Sequence, residues 1–385
     1  MSAASTPVID PVELTRDLIR KPSVTPADEG AMDIVERLLT GLGFHCRRLK
    51  FENIENLYAR RGTASPNLCF AGHTDVVPTG SAEAWSAAPF EAEVRDGVLY
   101  GRGAVDMKGG IAAWIAAVSR VLAEGEVPGS LSFLITGDEE GPALHGTKRV
   151  VEILMAEGEV IDACIVGEPS SQHALGDTIK IGRRGSLNTW ITVHGKQGHV
   201  AYPDRAANPV PVLARLAARL ADHRLDDGYT AFQPSNLELT TLDVGNTATN
   251  LIPAEARGRL NIRFNPNHTG EALMAWLNAE AGRAQAESGL RIELEHLHSG
   301  DAFLTEVGPF VTGVQDAVEA AIGRRPEAST TGGTSDARFI RAMAPVLELG
   351  LVGQTMHQID ERAPVSEIEA LTEVYRRVIT TFFAR

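Results

Sequence analysis

Two hydrophobic periods alternate along the first part of the chain. Residues 10–20, 31–42, 111–123 and 145–156 carry apolar side chains at helical spacing. Between them lie short, continuously apolar stretches at 67–71, 131–136 and 163–166, which read as strands buried on both faces. Strands of that kind separated by helices predict an α/β fold, a mostly parallel sheet with helices on both faces.

The texture changes near Ser186. Residues 187–193 alternate as a strand, 209–223 are helical, 236–244 and 256–264 are strands, 269–288 are helical and 291–297 form a last strand. That β-α-β-β-α-β order over about 110 residues is the split βαβ, ferredoxin-like unit. It predicts an inserted α+β domain at 185–298, with the first domain supplied in two parts by 1–184 and 299–385. The first pattern then resumes, with a helix at 309–322, a strand at 345–350 and a closing helix at 366–383.

The apolar strands lead into ionisable groups. CFAGHTD finishes with His73 and Asp75, SFLITGDEE with Asp138, Glu139 and Glu140, CIVGEP with Glu168, and VLELGLVGQTMH with His357. YGRGAVDMKGG adds Asp106 on a glycine-rich loop before a helix. In an open parallel sheet, ligands bind beyond the carboxyl ends of the strands, so these segments are expected to converge on one crevice.

His73, Asp106, Glu140, Glu168 and His357 are two imidazoles and three carboxylates. With Asp106 bridging, the set divides into one histidine and one terminal carboxylate for each of two divalent metal ions, with positions left open for water. Nitrogen and carboxylate donors without thiolate favour zinc, with cobalt as the alternative. Two such ions about 3.5–4 Å apart make a hydrolytic clamp. On a strand, His73 and Asp75 point to one side, so Asp75 could accept the imidazole N–H and fix the tautomer of His73. Glu139 and Glu140 are neighbours that cannot face the same way in a regular strand; one can bind metal while the other stays free as a base. A lone His-x-Asp, an acidic triplet or GEP is ordinary loop chemistry. Their coincidence at the ends of apolar strands carries the reading.

Composition narrows the partners. The 385 residues are 43% hydrophobic and 22% charged, ordinary globular values. Thirty-six basic against 50 acidic residues give a net charge of −14, which argues against nucleic acid or an anionic membrane as partner. No apolar run approaches the roughly 18–20 residues of a membrane span. The opening MSAASTPVIDPVELTRDL has neither a basic n-region nor an apolar h-region, so a cytoplasmic protein is expected. Cys46, Cys69 and Cys164 lack metal-ligand spacing and read as buried, reduced thiols. GGTS lacks the lysine of a phosphate loop, which sets nucleotide binding aside. His45, His145, His173, His223, His268, His296 and His298 read as surface or packing residues and His194 as a strand or turn residue. His199, in HGKQGHVAYP, is harder to dismiss because Gly198 and Tyr202-Pro203 flank it.

In this order, GHTDVVP, YGRGAVDMKGG, TGDEEG, GEP and the late His357 resemble the dinuclear zinc aminoacylase and carboxypeptidase family. GEPSS, LGDTIKIGRRGS, GKQGHVAYP, ATNLIPAE and TGGTSDARF, spread over most of the chain, resemble the branch of that family that removes succinyl groups. TGDEEGPALHGT departs from the branch, which has a serine and an alanine around the acidic pair, and leaves the acids intact.

The resemblance implies a zinc-peptidase-like catalytic domain with one ion on His73, Asp106 and Glu168 and the other on Asp106, Glu140 and His357. It implies Glu139 as general base and then acid, and N-succinyl-LL-2,6-diaminopimelate as substrate in lysine and meso-diaminopimelate biosynthesis. It further implies a homodimer through the inserted domain, with His199 of the partner subunit brought to the oxyanion when the domains close. A substrate with three carboxylates calls for cations. Arg183 and Arg263 are the candidates because guanidinium pairs bidentately with carboxylate, with Arg184 competing for the role of Arg183. Ser186, Tyr202, Asn250, Gly333 and Thr334 are carried over from the matched motifs as supporting contacts. An acetylornithine deacetylase or glutamate-type carboxypeptidase would share the metal site. A non-catalytic metal- or peptide-binding protein would have no use for an uncoordinated Glu139, and a dinuclear phosphoesterase would call for more cations beside the metals.

Overall fold

Four apolar strands, Ser130–Thr136, Asn67–His73, Ala163–Val166 and Val346–Glu348, lie side by side and run parallel, each buried along its whole length. They form the centre of an eight-stranded sheet in the computed structural model, which describes residues 7–384. The first six positions of the N-terminal segment weighed above lie outside it. The chain divides into two units: one is the chain through Ile181 with Thr305–Ser329 and the residues from Ser335 on, the other Gly182–Leu304 with Thr330–Thr334.

In the first unit the sheet is parallel at its centre and mixed at its edges. His45–Phe51 and Ile54–Arg61 form an antiparallel hairpin on one side, and Ile54–Arg61 joins Ser130–Thr136 antiparallel. On the other side, Thr178–Lys180 runs antiparallel to Val346–Glu348, followed by Glu327–Ser329. The periodicity does not reveal the hairpin because its outer strand, HCRRLKF, carries three cations and buries only Leu49. Charged side chains of this kind keep an edge strand from pairing with another chain.

Helix Lys108–Glu124 is buried almost throughout, packed against Pro11–Ile19 and Val365–Phe383. Trp114 on it stacks on Phe70 of the central strand at 4.8 Å and meets Tyr375 edge-on at 4.8 Å. The Tyr375 hydroxyl donates to the Leu349 carbonyl at 2.5 Å, which satisfies the one polar atom the ring brings into the core. The helix begins hard against a strand end: a Cβ on Gly110 would lie 2.6 Å from the Gly167 carbonyl oxygen. Glycine at that position therefore lets the Asp106 loop approach the segment that carries Glu168.

The second unit has a four-stranded antiparallel sheet in the order Asn236–Asp243, Glu255–Phe264, Gly185–His194, Ile292–Gly300. With helices Val210–Ala221 and Gly270–Ser288, this is the ferredoxin-like arrangement. Alternate positions of Glu255–Phe264 are buried and join Leu187, Ile191, Leu216, Leu273 and Leu277 in one core. Asn236–Asp243 is an edge strand, exposed over most of its length. Among the described residues no helix is long and apolar enough to cross a membrane.

Candidate metal centre

Because the four central strands share a direction, their carboxyl ends open on one edge of the sheet. His73 is the last residue of its strand, Glu139 and Glu140 follow Thr136, and Glu168 lies just past Val166. His357 comes from the loop after Val346–Glu348.

Asp106 stands between the two imidazoles. Its Oδ1 is 3.2 Å from His73 Nε2 and its Oδ2 is 3.2 Å from His357 Nε2. Glu168 Oε1 lies 3.7 Å from His73 Nε2, and Glu140 Oε1 lies 2.9 Å from His357 Nε2. Each imidazole thus shares Asp106 and has one carboxylate of its own. Donor atoms of His73, Asp106 and Glu140, and those of His73, Glu139 and Glu168, lie within 4.8 Å of one another. Two donors about 2.0–2.2 Å from one tetrahedral zinc stand about 3.3–3.6 Å apart, and the observed separations bracket that range.

The electrostatics fit cations as well. Burial pushes Glu139 and Glu168 well above the usual carboxylate range, Glu168 further raised by Asp106 and Glu139, and Glu139 by Asp336 and Glu140. Burial would lower His73, but the neighbouring Asp106 and Glu168 carboxylates raise it well above its ordinary value. Hydrogen bonds to Asp106 and Glu140 lift His357 to about 10. Burial would raise Asp106, yet the two imidazoles hold it below its ordinary value. Such a pocket has more negative charge than its own side chains balance, which two divalent ions would supply. The residues fit a pair of them.

Asp75 differs in detail from the tautomer-fixing carboxylate expected for it. The strand stops at His73, and His73 Nδ1 faces the Asp75 main-chain carbonyl at 2.8 Å, with the nearest carboxylate oxygen at 3.6 Å. The carboxylate instead accepts the N–H groups of Glu139 at 3.3 Å and Glu140 at 3.0 Å. One residue thereby orients His73 through its backbone and the two glutamates through its side chain. Burial raises the Asp75 carboxyl to about 6, against the pull of His73 and those N–H donors. Among the described residues nothing hydrogen-bonds the Glu139 carboxylate, in contrast to that of Glu140.

Residues 69–381 match peptidase family M20/M25/M40. The chain belongs to that family. A succinyl-diaminopimelate desuccinylase of Phenylobacterium zucineum (strain HLK1) is 65% identical over 384 residues, covering 100% of both chains. One from Maricaulis maris (strain MCS10) is 58% identical, over 99% of this chain and 98% of its own. Among solved structures, an M20 family metallo-carboxypeptidase from Sulfolobus solfataricus superposes with a TM-score of 0.81 at 17% identity, covering 98% of this chain and 100% of its own. A dinuclear metal binding peptidase of the M20 family from Bacillus subtilis gives 0.73 at 15% identity, over 97% of this chain and 98% of its own. At those identities the likeness is one of fold.

This M20/M25/M40 chain carries its other expected site residues in the second unit. His199, in a short bridge with Leu251, is exposed, and its ring lies 5.7 Å from that of Tyr202. The Asn250 carbonyl accepts the Val200 N–H at 3.1 Å, so His199, Tyr202 and Asn250 share one exposed patch. Arg183 is buried and donates to the Thr331 carbonyl at 3.1 Å, on the segment that continues to Gly333 and Thr334. Its neighbour Arg184 donates to Asn236 Oδ1 at 2.8 Å, and burial and the nearby Arg263 pull it below its ordinary value. Ser186 pairs with Arg263 across the sheet, and Asn261 links them, donating to Ser186 Oγ at 3.2 Å and accepting from Arg263 Nε at 3.1 Å.

Some groups around the metal centre escape a reading by strand ends. Asp336 is buried beside it and accepts from Thr147 Oγ1 at 2.6 Å. Glu361 and Arg102 form a buried ion pair at 2.7 Å. Asp336 lies in TGGTSDARF and Arg102 in YGRGAVD, so both motifs hold a further charged residue whose burial would have been the signal.

Proposed function

We propose that this chain hydrolyses N-succinyl-LL-2,6-diaminopimelate to succinate and LL-2,6-diaminopimelate, a step of lysine and meso-diaminopimelate biosynthesis in the cytoplasm. The observation that carries the reading is 53–65% identity, over at least 97% of the chain, to proteins named for that activity. The arrangement of the site supports it. His73, Asp106 and Glu168 would hold one divalent ion and Asp106, Glu140 and His357 the other, zinc in preference and cobalt as the alternative.

When bound, such a pair of ions acidifies water and polarises an acyl carbonyl. Glu139 takes the proton of the attacking water and returns it to the departing amine nitrogen. Asp75 keeps Glu139 in place by accepting its N–H and that of Glu140. Arg183 and Arg263 pair with substrate carboxylates, supported by Ser186, Gly333 and Thr334. The protein is a homodimer through the ferredoxin-like unit, and His199 of the partner subunit, with the partner's Tyr202 and the partner's Asn250 beside it, donates to the oxyanion. The exposure of that patch suits a group that acts outside its own chain.

Succinate release from N-succinyl-LL-2,6-diaminopimelate, measured against acetate release from N-acetylornithine with metal-loaded protein, tests the reading. The expected ratio of kcat/KM is about 10² or more in favour of the succinyl substrate. Faster acetate release makes the chain a deacetylase of the same family. Hydrolysis of no N-acyl amino acid leaves a binding protein.

A further inference from the structure

The carboxylate between the two imidazoles and His357 sit on loops far apart in the chain, and one buried ion pair ties those loops together. Glu361, with 0% exposure, accepts through Oε1 the main-chain N–H of Val105 at 3.0 Å and of Asp106 at 3.2 Å. Its Oε2 meets Arg102 Nη1 at 2.7 Å. Arg102, 2% exposed, donates onward to the carbonyls of Gln358 at 3.2 Å, His357 at 3.4 Å and Pro78 at 3.3 Å. Its guanidinium lies over the Trp85 ring at 5.2 Å.

His357 has φ +62, in the left-handed region that non-glycine residues rarely occupy. A conformation of that kind persists where the surroundings over-determine it. Here Arg102 grips the carbonyls of His357 and of the next residue. A buried ion pair is weak evidence of stabilisation, because desolvation of both charges offsets their attraction and apolar replacements are often neutral. Stability alone therefore does not account for charges here, whereas the directions of their hydrogen bonds do.

We infer that the Arg102–Glu361 pair is a positioning brace: it holds the Asp106 backbone and the strained His357 turn at the separation that lets Oδ2 of Asp106 and Nε2 of His357 address the same ion. The inference rests on the two-ion reading above. Neither residue touches the reacting atoms. Their effect should fall on the ion shared by Asp106, Glu140 and His357 more than on the ion with His73 and Glu168, two residues that neither Arg102 nor Glu361 hydrogen-bonds.

Chelator-competition titration with Zn(II), with Co(II) absorption as a second readout, tests the brace on the full chain. Glu361→Gln places an amide N–H₂ against either Arg102 or the Asp106 N–H. Arg102→Lys keeps the charge but loses the planar fork that spans several carbonyls. Both variants are expected to weaken the second ion about 10–100-fold, the usual effect of losing an outer-shell partner, with a smaller change for the first ion and an altered Co(II) spectrum. Arg60→Met, which breaks the Arg60–Glu159 pair elsewhere in the same unit, is expected to lower Tm with both metal affinities unchanged. If Glu361→Gln does not fold, Arg102→Lys is read in its place. Wild-type protein that takes up two ions alongside variants of equal affinity and identical Co(II) spectrum overturns the brace alone. Wild-type protein that takes up fewer than two overturns the two-ion reading and the brace with it.

Discussion

Asp106 presents its Oδ2 to His357 Nε2 at 3.2 Å while its Oδ1 faces the opposite way, toward His73. A carboxylate can serve two cations this way, whereas an amide offers one oxygen and turns an N–H₂ donor to the other side. Asp106→Asn is therefore expected to hold at most one ion per chain and to lose activity. Exhaustive chelation of the wild type should likewise abolish succinate release while circular dichroism stays native, with activity returning on addition of zinc. A folded preparation that remains active after chelation would falsify the two-metal reading.

Glu139 lies beside the metal-binding set with a carboxylate that no described residue hydrogen-bonds. Glu139→Gln preserves the shape and removes the base. It is expected to retain both ions and lose about 10²–10⁴ in kcat, the range for general acid–base catalysis. Metal content measured with kcat separates this from a ligand role: loss of an ion would make Glu139 a ligand instead.

His199 is exposed beside Tyr202. His199→Ala is expected to keep both ions and lose most of kcat. Mixed one-to-one with Glu139→Gln under conditions that exchange subunits, it should recover about a quarter of wild-type activity, since in the proposed homodimer half the dimers would be hybrids and each hybrid would have one intact site of two. Activity in His199→Ala alone equal to wild type removes His199 from the mechanism. An inactive single variant with no recovery on mixing denies its action across the dimer.

Asp226 in the second unit provides a pH test on a group that is not among the metal-ligand candidates. Burial would raise it, but hydrogen bonds from Ser235, Asn265 and Gly228 hold it down to about 2 from an ordinary 3.8. His268 Nε2 adds a contact at 3.0 Å. Since the folded value is the lower one, the stabilisation is complete above the unfolded value and disappears as pH falls from 3.8 toward 2. Asp226→Asn should lower stability at neutral pH by about 1–2 kcal/mol and flatten the stability profile across that acid window. Denaturant unfolding at several pH values measures both, and an unchanged acid slope would show that other carboxylates set it.

Much of the architecture was legible because it rests on local periods. Runs such as 163–166 and 309–322 coincide with observed elements, since a buried strand or an amphipathic helix writes its environment into successive residues. The charged outer hairpin strand was not legible, because an edge strand that buries little carries no such pattern. His73, Asp106, Glu140, Glu168 and His357 could be grouped from sequence because each follows an apolar strand or precedes a helix at a glycine-rich loop, and a parallel sheet brings such ends together.

The sequence by itself thus determined the donor types, their places at strand ends and the ferredoxin-like order of the insertion. Only the tertiary structure decided which oxygen of Asp106 faces which imidazole, that Asp75 turns its carboxylate to the Glu139 and Glu140 N–H groups, and that Glu361 reaches back to the Asp106 loop. The reason is physical. The direction of a side chain along its own element follows from repeats of two or 3.6 residues, whereas contacts between loops depend on sheet order and on loop paths that no local period encodes.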